Sequence, residues 1–143
     1  MPAGRPKGTD NYTERVASEI CERLSTGEPL ASICRDEGMP AVRTVSDWKA
    51  NHENFAADFA RAREEGFDAI AEDCLKIADN TENDDKHTES GVVPNSEWIT
   101  RSRLRVETRL KLLAKWSPKR YGDKLEVEAT VSGNISVTIG GDA

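Results

Sequence analysis

Residues 103–109 read Arg-Leu-Arg-Val-Glu-Thr-Arg, and residues 117–124 read Ser-Pro-Lys-Arg-Tyr-Gly-Asp-Lys. The first stretch has the spacing of an amphipathic helix, and the proline and the Tyr-Gly pair of the second predict where that helix ends. Between residues 99 and 124 there are nine Lys or Arg side chains and two acidic ones, a local charge of +7 in a chain of net charge −6. We therefore expect a basic helix that contacts either DNA or acidic surfaces of the same protein.

The segment 53–80 has the opposite charge, with three basic and eight acidic side chains. It predicts a long helix from Asn54 to Asp79, and a second long helix is predicted from Glu97 to Trp116. Residues 80–97, between them, are expected to form a mobile polar loop. The two helices would form an antiparallel hairpin over residues 53–122, with charge contacts between helices or between subunits. Two independently solvated faces are the alternative interpretation.

We interpret this hairpin as an oligomerisation core, because a chain of 143 residues with 36% apolar content can bury several small modules only with help from partners. The arginines would mainly meet acidic residues of a neighbouring 53–80 helix, and lining a channel or touching DNA is their alternative role. The predicted oligomerisation residues are Phe67, Ile70, Arg103, Arg105, Val106, Arg109, Leu110 and Leu113.

Residues 12–52 predict a helix-turn-helix domain of three helices that are separated by Gly27 and Gly38. Thr13 is the expected N-cap of the first helix. The second, from 30 to 37, would turn Ala31 and Cys34 inward, and the third, about 41–51, would bury Val45 and Trp48. The outer face of the third helix offers groups suited to bases and phosphates, so DNA binding is favoured over a plain three-helix bundle. The predicted contacts on this helix are Arg43, Thr44, Ser46 and Lys49.

Residues 1–11 are rich in glycine, proline and basic side chains and predict a flexible basic arm. Gly4-Arg-Pro-Lys-Gly8 has the Gly-Arg-Pro centre of peptides that place an extended arginine in a narrow minor groove. Homeodomains and recombinases combine such an arm with a major-groove helix in the same order. Arg5 and Lys7 are therefore further predicted DNA contacts.

The fold class that follows is mainly α, with a short β-hairpin in the C-terminal segment 123–143. Residues 125–131 and 135–139 alternate with period two on either side of Ser132-Gly-Asn134, a sequence suited to a turn. A single hairpin exposes two edges, so pairing around a ring of subunits could close a barrel. A disordered tail is the alternative.

Several classes of site are not expected. The sequence has no Gly-x-x-x-x-Gly-Lys phosphate loop, and its two histidines, His52 and His87, are isolated. The three cysteines are widely spaced and are interpreted as small apolar side chains in a reducing compartment. No apolar run approaches the roughly 20 residues of a membrane span. We expect no catalytic residue, metal, cofactor or membrane contact.

The N-terminal Ala-Gly-Arg-Pro, the Gly38-Met-Pro…Thr44-Val…Trp48 segment and, most specifically, Arg103-Leu-Arg-Val…Thr108-Arg…Pro118-Lys-Arg-Tyr-Gly-Asp-Lys124 resemble the small terminase subunit of tailed double-stranded-DNA bacteriophages. The resemblance covers roughly residues 3–125. It implies a ring of roughly eight to ten copies with DNA-binding domains outside, a helical core and a C-terminal barrel. It also implies recognition of the packaging site on concatemeric DNA and recruitment of the large ATPase-nuclease subunit, in the cytoplasm of the infected host.

Two other classes of function remain open at this level. A helix-turn-helix transcription regulator or a transposition protein would also bind DNA, and such a regulator is typically a two-fold dimer. A purely structural oligomer would use the basic helix only against its own acidic segment. The mass in solution separates the first class from a ring, and salt-dependent DNA binding separates both from the structural oligomer.

Overall fold

The structure is a computed structural model that describes residues 11–123. Its helices are α1 (Glu14–Ser25), α2 (Leu30–Ile33), α3 (Val42–Asn51), α4 (Glu53–Asp79), α5 (Ser96–Trp116) and α6 (Pro118–Tyr121), and its strands are β1 (Asp85–Thr88) and β2 (Gly91–Pro94). The mainly helical prediction is confirmed. The predicted basic arm and the predicted C-terminal hairpin lie almost wholly outside the described residues. Within residues 11–123, no helix is long and apolar enough to cross a membrane.

The first three helices form the predicted helix-turn-helix unit. Thr13 is the N-cap of α1, since its Oγ1 accepts a hydrogen bond from the Val16 amide at 3.3 Å. The helix α2 is shorter than expected and ends at Ile33, because tighter turns follow in which each amide bonds the carbonyl three residues earlier. This shift corrects one assignment: Ala31 is exposed, whereas Ile33 is fully buried.

The core of this unit extends into α4. Phe55, Phe59 and Ala62 of α4 are 2 to 5% exposed and pack in one cluster with the buried residues of α1, α2 and α3. Three short helices alone would bury little apolar surface, and the first half of α4 completes the core. Packing therefore continues past residue 52, where the sequence predicted a domain boundary.

The crossing of α1 over α4 depends on a glycine. A Cβ at Gly66 would lie 2.1 Å from the carbonyl oxygen of Leu24, so the two backbones approach more closely than any side chain allows. That carbonyl is itself fixed, because it accepts a 2.9 Å hydrogen bond from the amide of Gly27. Gly27 has a φ of +92°, in the region that favours glycine, and ends α1 as predicted.

The helices α4 and α5 form the predicted antiparallel hairpin. Cys74 lies opposite the carbonyl of Val106, and Phe67, earlier in α4, stacks on Trp116, later in α5, with ring centroids 6.0 Å apart. Leu113 of α5 is fully buried. The opposite charges of the two segments meet partly within one chain, since Arg109 Nε lies 2.9 Å from the Asp73 carboxylate.

Between the long helices, the structure replaces the predicted mobile loop by a β-hairpin. Strands β1 and β2 pair antiparallel with Thr88 opposite Gly91, and Thr88 Oγ1 donates to the Gly91 carbonyl at 2.9 Å. Gly91 has a φ of +119°. The sequence contained the signal, because a Ser-Gly pair precedes two β-branched valines. The sequence nevertheless predicted a loop, because most residues of the segment are polar.

The short helix α6 fastens the end of the hairpin to α4. Arg120 bridges the carboxylates of Glu64, at 3.1 Å, and Asp68. The Tyr121 hydroxyl donates a 2.5 Å hydrogen bond to the same Asp68 oxygen. Residues 118–121, Pro-Lys-Arg-Tyr, therefore have a structural role. They hold the end of the basic segment, residues 99–124, against the acidic face of α4.

Candidate nucleic-acid interface

The exposed face of α3 is the candidate nucleic-acid interface. Val45 is fully buried and Trp48 is 3% exposed, so one side of the helix is anchored in the core. With 3.6 residues per turn, the opposite side carries Arg43, Ser46 and Asp47, which are all exposed. One cation, one hydroxyl and one carboxylate thus lie together on a surface that a DNA groove could reach.

The structure places the other two predicted residues of α3 at the flanks of this face. Lys49 Nζ lies 4.2 Å from the centroid of the Phe59 ring, a cation–π contact that turns the ammonium group toward α4. Thr44 is half-buried. The sequence grouped Lys49 with Arg43 because both are basic, but Lys49 is the less available of the two.

An arginine that was not singled out from the sequence holds the helix-turn-helix unit together. Arg23 of α1 donates from Nε to Glu28 at 2.8 Å, and its Nη2 lies 2.7 Å from an Asp36 carboxylate oxygen. These contacts join the end of α1 to the loop before α2 and to the turn after it. Hydrogen bonds from Arg23 lower the pKa of the Glu28 carboxyl and raise the pKa of the guanidinium. The turn that precedes α3 is therefore tied to α1.

The point where the N-terminal arm joins the domain lies beside the end of α3. Tyr12 stacks on His52 with ring centroids 3.8 Å apart and contacts Trp48 edge-on at 5.1 Å. Arg5 and Lys7 lie outside the described residues, and Tyr12, which follows them in the sequence, belongs to this aromatic cluster. Tyr12 and the end of α3 thus lie in the same part of the domain.

The predicted oligomerisation residues divide into two groups. The first group supports the chain's own packing. Phe67 and Leu113 are buried, Ile70 and Val106 are half-buried, and Arg109 pairs with Asp73. The second group is exposed and consists of Arg103, Arg105 and Leu110, with Leu110 50% exposed.

The exposed arginines differ in their partners. Arg103 pairs with Glu107 one turn along its own helix at 2.9 Å. Arg105 forms no ion pair within residues 11–123. Only the second group is available to another chain, and in it Arg105 is the free cation.

Comparison with known protein families gives one match. Residues 12–128 match the family described as Bacteriophage Sf6, terminase small subunit-like. The chain belongs to this family. The resemblance seen in the sequence is therefore confirmed. Among curated proteins no match is found.

Solved structures agree with this family. The chain is similar to three structures of point variants of the terminase small subunit gp1 of the bacterial virus sf6. Each is 39% identical to it, the matched regions cover 82% of both chains, and the TM-score is 0.60. The chain therefore shares its fold with them.

No group of three or more His, Cys, Asp or Glu side chains within residues 11–123 is arranged to hold a metal ion. Asp84 and Asp85 belong to the base of the β-hairpin, where the Asp84 carbonyl accepts a 2.6 Å hydrogen bond from the Asn95 amide.

Proposed function

We propose that this chain is the non-catalytic DNA-recognition subunit of a viral genome-packaging terminase. In this role it binds the packaging site on concatemeric phage DNA, and recruits and regulates the large ATPase-nuclease subunit. The observation that carries the proposal is the exposed face of α3 with Arg43 and Ser46, on a helix-turn-helix unit held rigid by Arg23, in a chain of the terminase small subunit family.

Binding by one copy is expected to be weak. Residues 1–52 contain seven basic and eight acidic side chains, so the domain exerts little long-range attraction on DNA. Each copy offers a few contacts from Arg43, Ser46 and the arm. Useful affinity then arises when several copies of one ring engage the same bent or wrapped DNA, because each later contact forms at a high effective concentration.

The ring is part of the proposal. We infer a closed homo-oligomer of roughly eight to ten copies, built on the α4–α5 hairpin. Its support is the exposed group on α5, where Arg105 has no ion pair within residues 11–123 and Leu110 is half exposed. Native mass spectrometry at micromolar concentration and moderate salt is expected to give this mass. A stable dimer under these conditions favours the regulator interpretation instead.

A salt titration of DNA binding tests the recognition surface. Removal of a cation that touches a phosphate lowers the slope of log affinity against log salt by about one for each copy engaged. Arg43→Ala is expected to weaken binding clearly, and Lys49→Ala only slightly, because the Lys49 ammonium lies against Phe59. Lys76→Ala, an exposed position on the far half of α4, is the matched control. Equal binding by all variants and by a chain lacking residues 1–8 would place recognition on α5.

A further inference from the structure

A groove runs between α1 and the first half of α4, on a surface that neither α3 nor α5 lines. It has a volume of about 800 Å³ and is lined at one end by Tyr12 and Asn54 and at the other by Ser25 and Glu65. Its lining includes three small alanines, Ala17, Ala57 and Ala62, and Phe55 is only 2% exposed, so these side chains leave room for an extended backbone.

The charge of the groove is strongly unbalanced. Its lining contains four carboxylates, Glu14, Glu22, Asp58 and Glu65, and one cation, Arg61. Arg61 compensates little, because its only ion pair within residues 11–123 is a long one, 3.6 Å, to Asp58 on its own helix. A net excess of three carboxylates along an open groove favours a basic, extended occupant.

The N-terminal arm is a basic segment that is joined directly to the lining of the groove. It contains Arg5, Lys7 and one acidic residue, and it joins the domain at Tyr12, which itself lines the groove. An extended chain spans up to ~3.4 Å per residue, so the seven steps from Tyr12 to Arg5 reach up to ~24 Å. The helix α1 rises 1.5 Å per residue and is therefore about 16 Å long from its first to its last residue. The arm is long enough to turn back and follow the whole groove.

We propose that, in the absence of DNA, the basic arm of residues 1–10 lies in this groove, with Arg5 and Lys7 against its carboxylates. DNA then competes with the groove for the same two cations. The competition rests on the proposed role of the arm in DNA binding, whereas the docking itself does not. Docking in the groove keeps the arm from binding DNA of any sequence. Once α3 has bound its site, the arm is held close to the DNA, and its high effective concentration there lets the arm exchange the groove for DNA.

The native thiol of Cys21 makes the docking measurable, because it also lines the groove. Gly8→Cys in the full chain leaves both cations of the arm in place. A disulfide requires the two Cα atoms to be within about 7 Å, so its formation reports the position of the arm. Oxidised glutathione at mildly alkaline pH is a suitable oxidant, since burial and Asp58 raise the pKa of the Cys21 thiol. Gly8→Cys with Cys21→Ser is the control.

The expected product is an intrachain disulfide, which keeps the mass of a monomer on a non-reducing denaturing gel and is confirmed by peptide mapping. Saturating double-stranded DNA should lower its yield severalfold. Absence of the bond, or a bond only between two chains, overturns the docking. A yield that DNA leaves unchanged overturns the competition. Failure of the proposed function appears separately, as no DNA binding by the unmodified protein.

A second measurement uses charge alone. Glu22→Gln with Glu65→Gln should raise DNA affinity about threefold to tenfold in the full chain, as expected when the arm is docked for two-thirds to nine-tenths of the time. The same pair in a chain lacking residues 1–8 should have a much smaller effect. Glu72→Gln with Asp79→Asn, at exposed positions of α4 outside the groove, measures the general effect of lost negative charge. Equal gains in all three cases refute the competition.

Discussion

The crossing of α1 and α4 can be tested by Gly66→Ala. The added Cβ would lie 2.1 Å from the Leu24 carbonyl oxygen. A carbon–oxygen contact normally needs about 3.3 Å, so the helices must separate by about 1 Å at this point. The obstructing atom cannot rotate away, because it belongs to backbone that also bonds the Gly27 amide. Leu24, which is 4% exposed, would be drawn out of the core with it.

The size of the effect follows from two opposing terms. Overpacking costs about 1–3 kcal/mol, and the upper end applies here because backbone meets backbone. Alanine is better than glycine in a helix by about 1 kcal/mol, which offsets part of the cost. We expect a net loss of about 2 kcal/mol in the free energy of unfolding. For a domain of this size, that lowers Tm by about 8 °C.

Urea unfolding and thermal melts at fixed protein concentration measure the change. The matched control is Ala60→Gly at an exposed position of the same helix, which should cost about 1 kcal/mol through helix propensity alone. If Gly66→Ala is as stable as the parent chain or more stable, the close approach of α1 and α4 is not a constraint and the reasoning fails.

Other predictions concern the basic residues between positions 99 and 124 and their contacts with α4. Arg103→Glu with Arg105→Glu should break or shrink the ring in native mass spectrometry, because both side chains are exposed on α5; an intact ring that has lost DNA binding would assign them to DNA instead. Asp68→Asn should lower stability at about pH 7, and its difference from the parent should shrink as pH falls below the ordinary value of 3.8, in urea titrations over that range. The sign follows because hydrogen bonds from Tyr121 and Arg120 lower the pKa of Asp68, so its stabilisation is complete above the ordinary value of 3.8 and is lost as pH falls through the folded value. Tyr121→Phe should show a smaller loss with the same pH dependence, and a loss that persists in acid would contradict the assigned partner.

The role of α6 bears on how the basic segment is interpreted. The local charge of +7 over residues 99–124 predicted a surface for DNA or for another subunit. The structure assigns Arg109 to Asp73 and Arg120 to Glu64 and Asp68 of the same chain. The positive charge left for partners is therefore smaller than the count in the sequence, and it is concentrated on the outer side of α5.

Local features of this protein were determined by the sequence. The N-cap at Thr13, the end of α1 at Gly27 and the burial of Val45 and Trp48 were all predicted. Caps, periodicity and turn residues act over about four positions, so neighbouring residues contain the information. The long helices α4 and α5 followed for the same reason. The β-hairpin between them was missed because its turn signal is short, its first strand is polar and both strands are largely exposed, with no buried face to impose a period.

The tertiary structure decided which groups meet across the fold. Opposite charges on two segments predict attraction, but they do not say that Arg109 pairs with Asp73 while Arg105 has no ion pair within residues 11–123. Lys49 lies against Phe59, and α1 lies on Gly66, only because three helices converge on the first half of α4. Such contacts join residues far apart in sequence, and their geometry depends on how whole helices cross. A helical period fixes the face that a side chain occupies, whereas only packing fixes what that face touches.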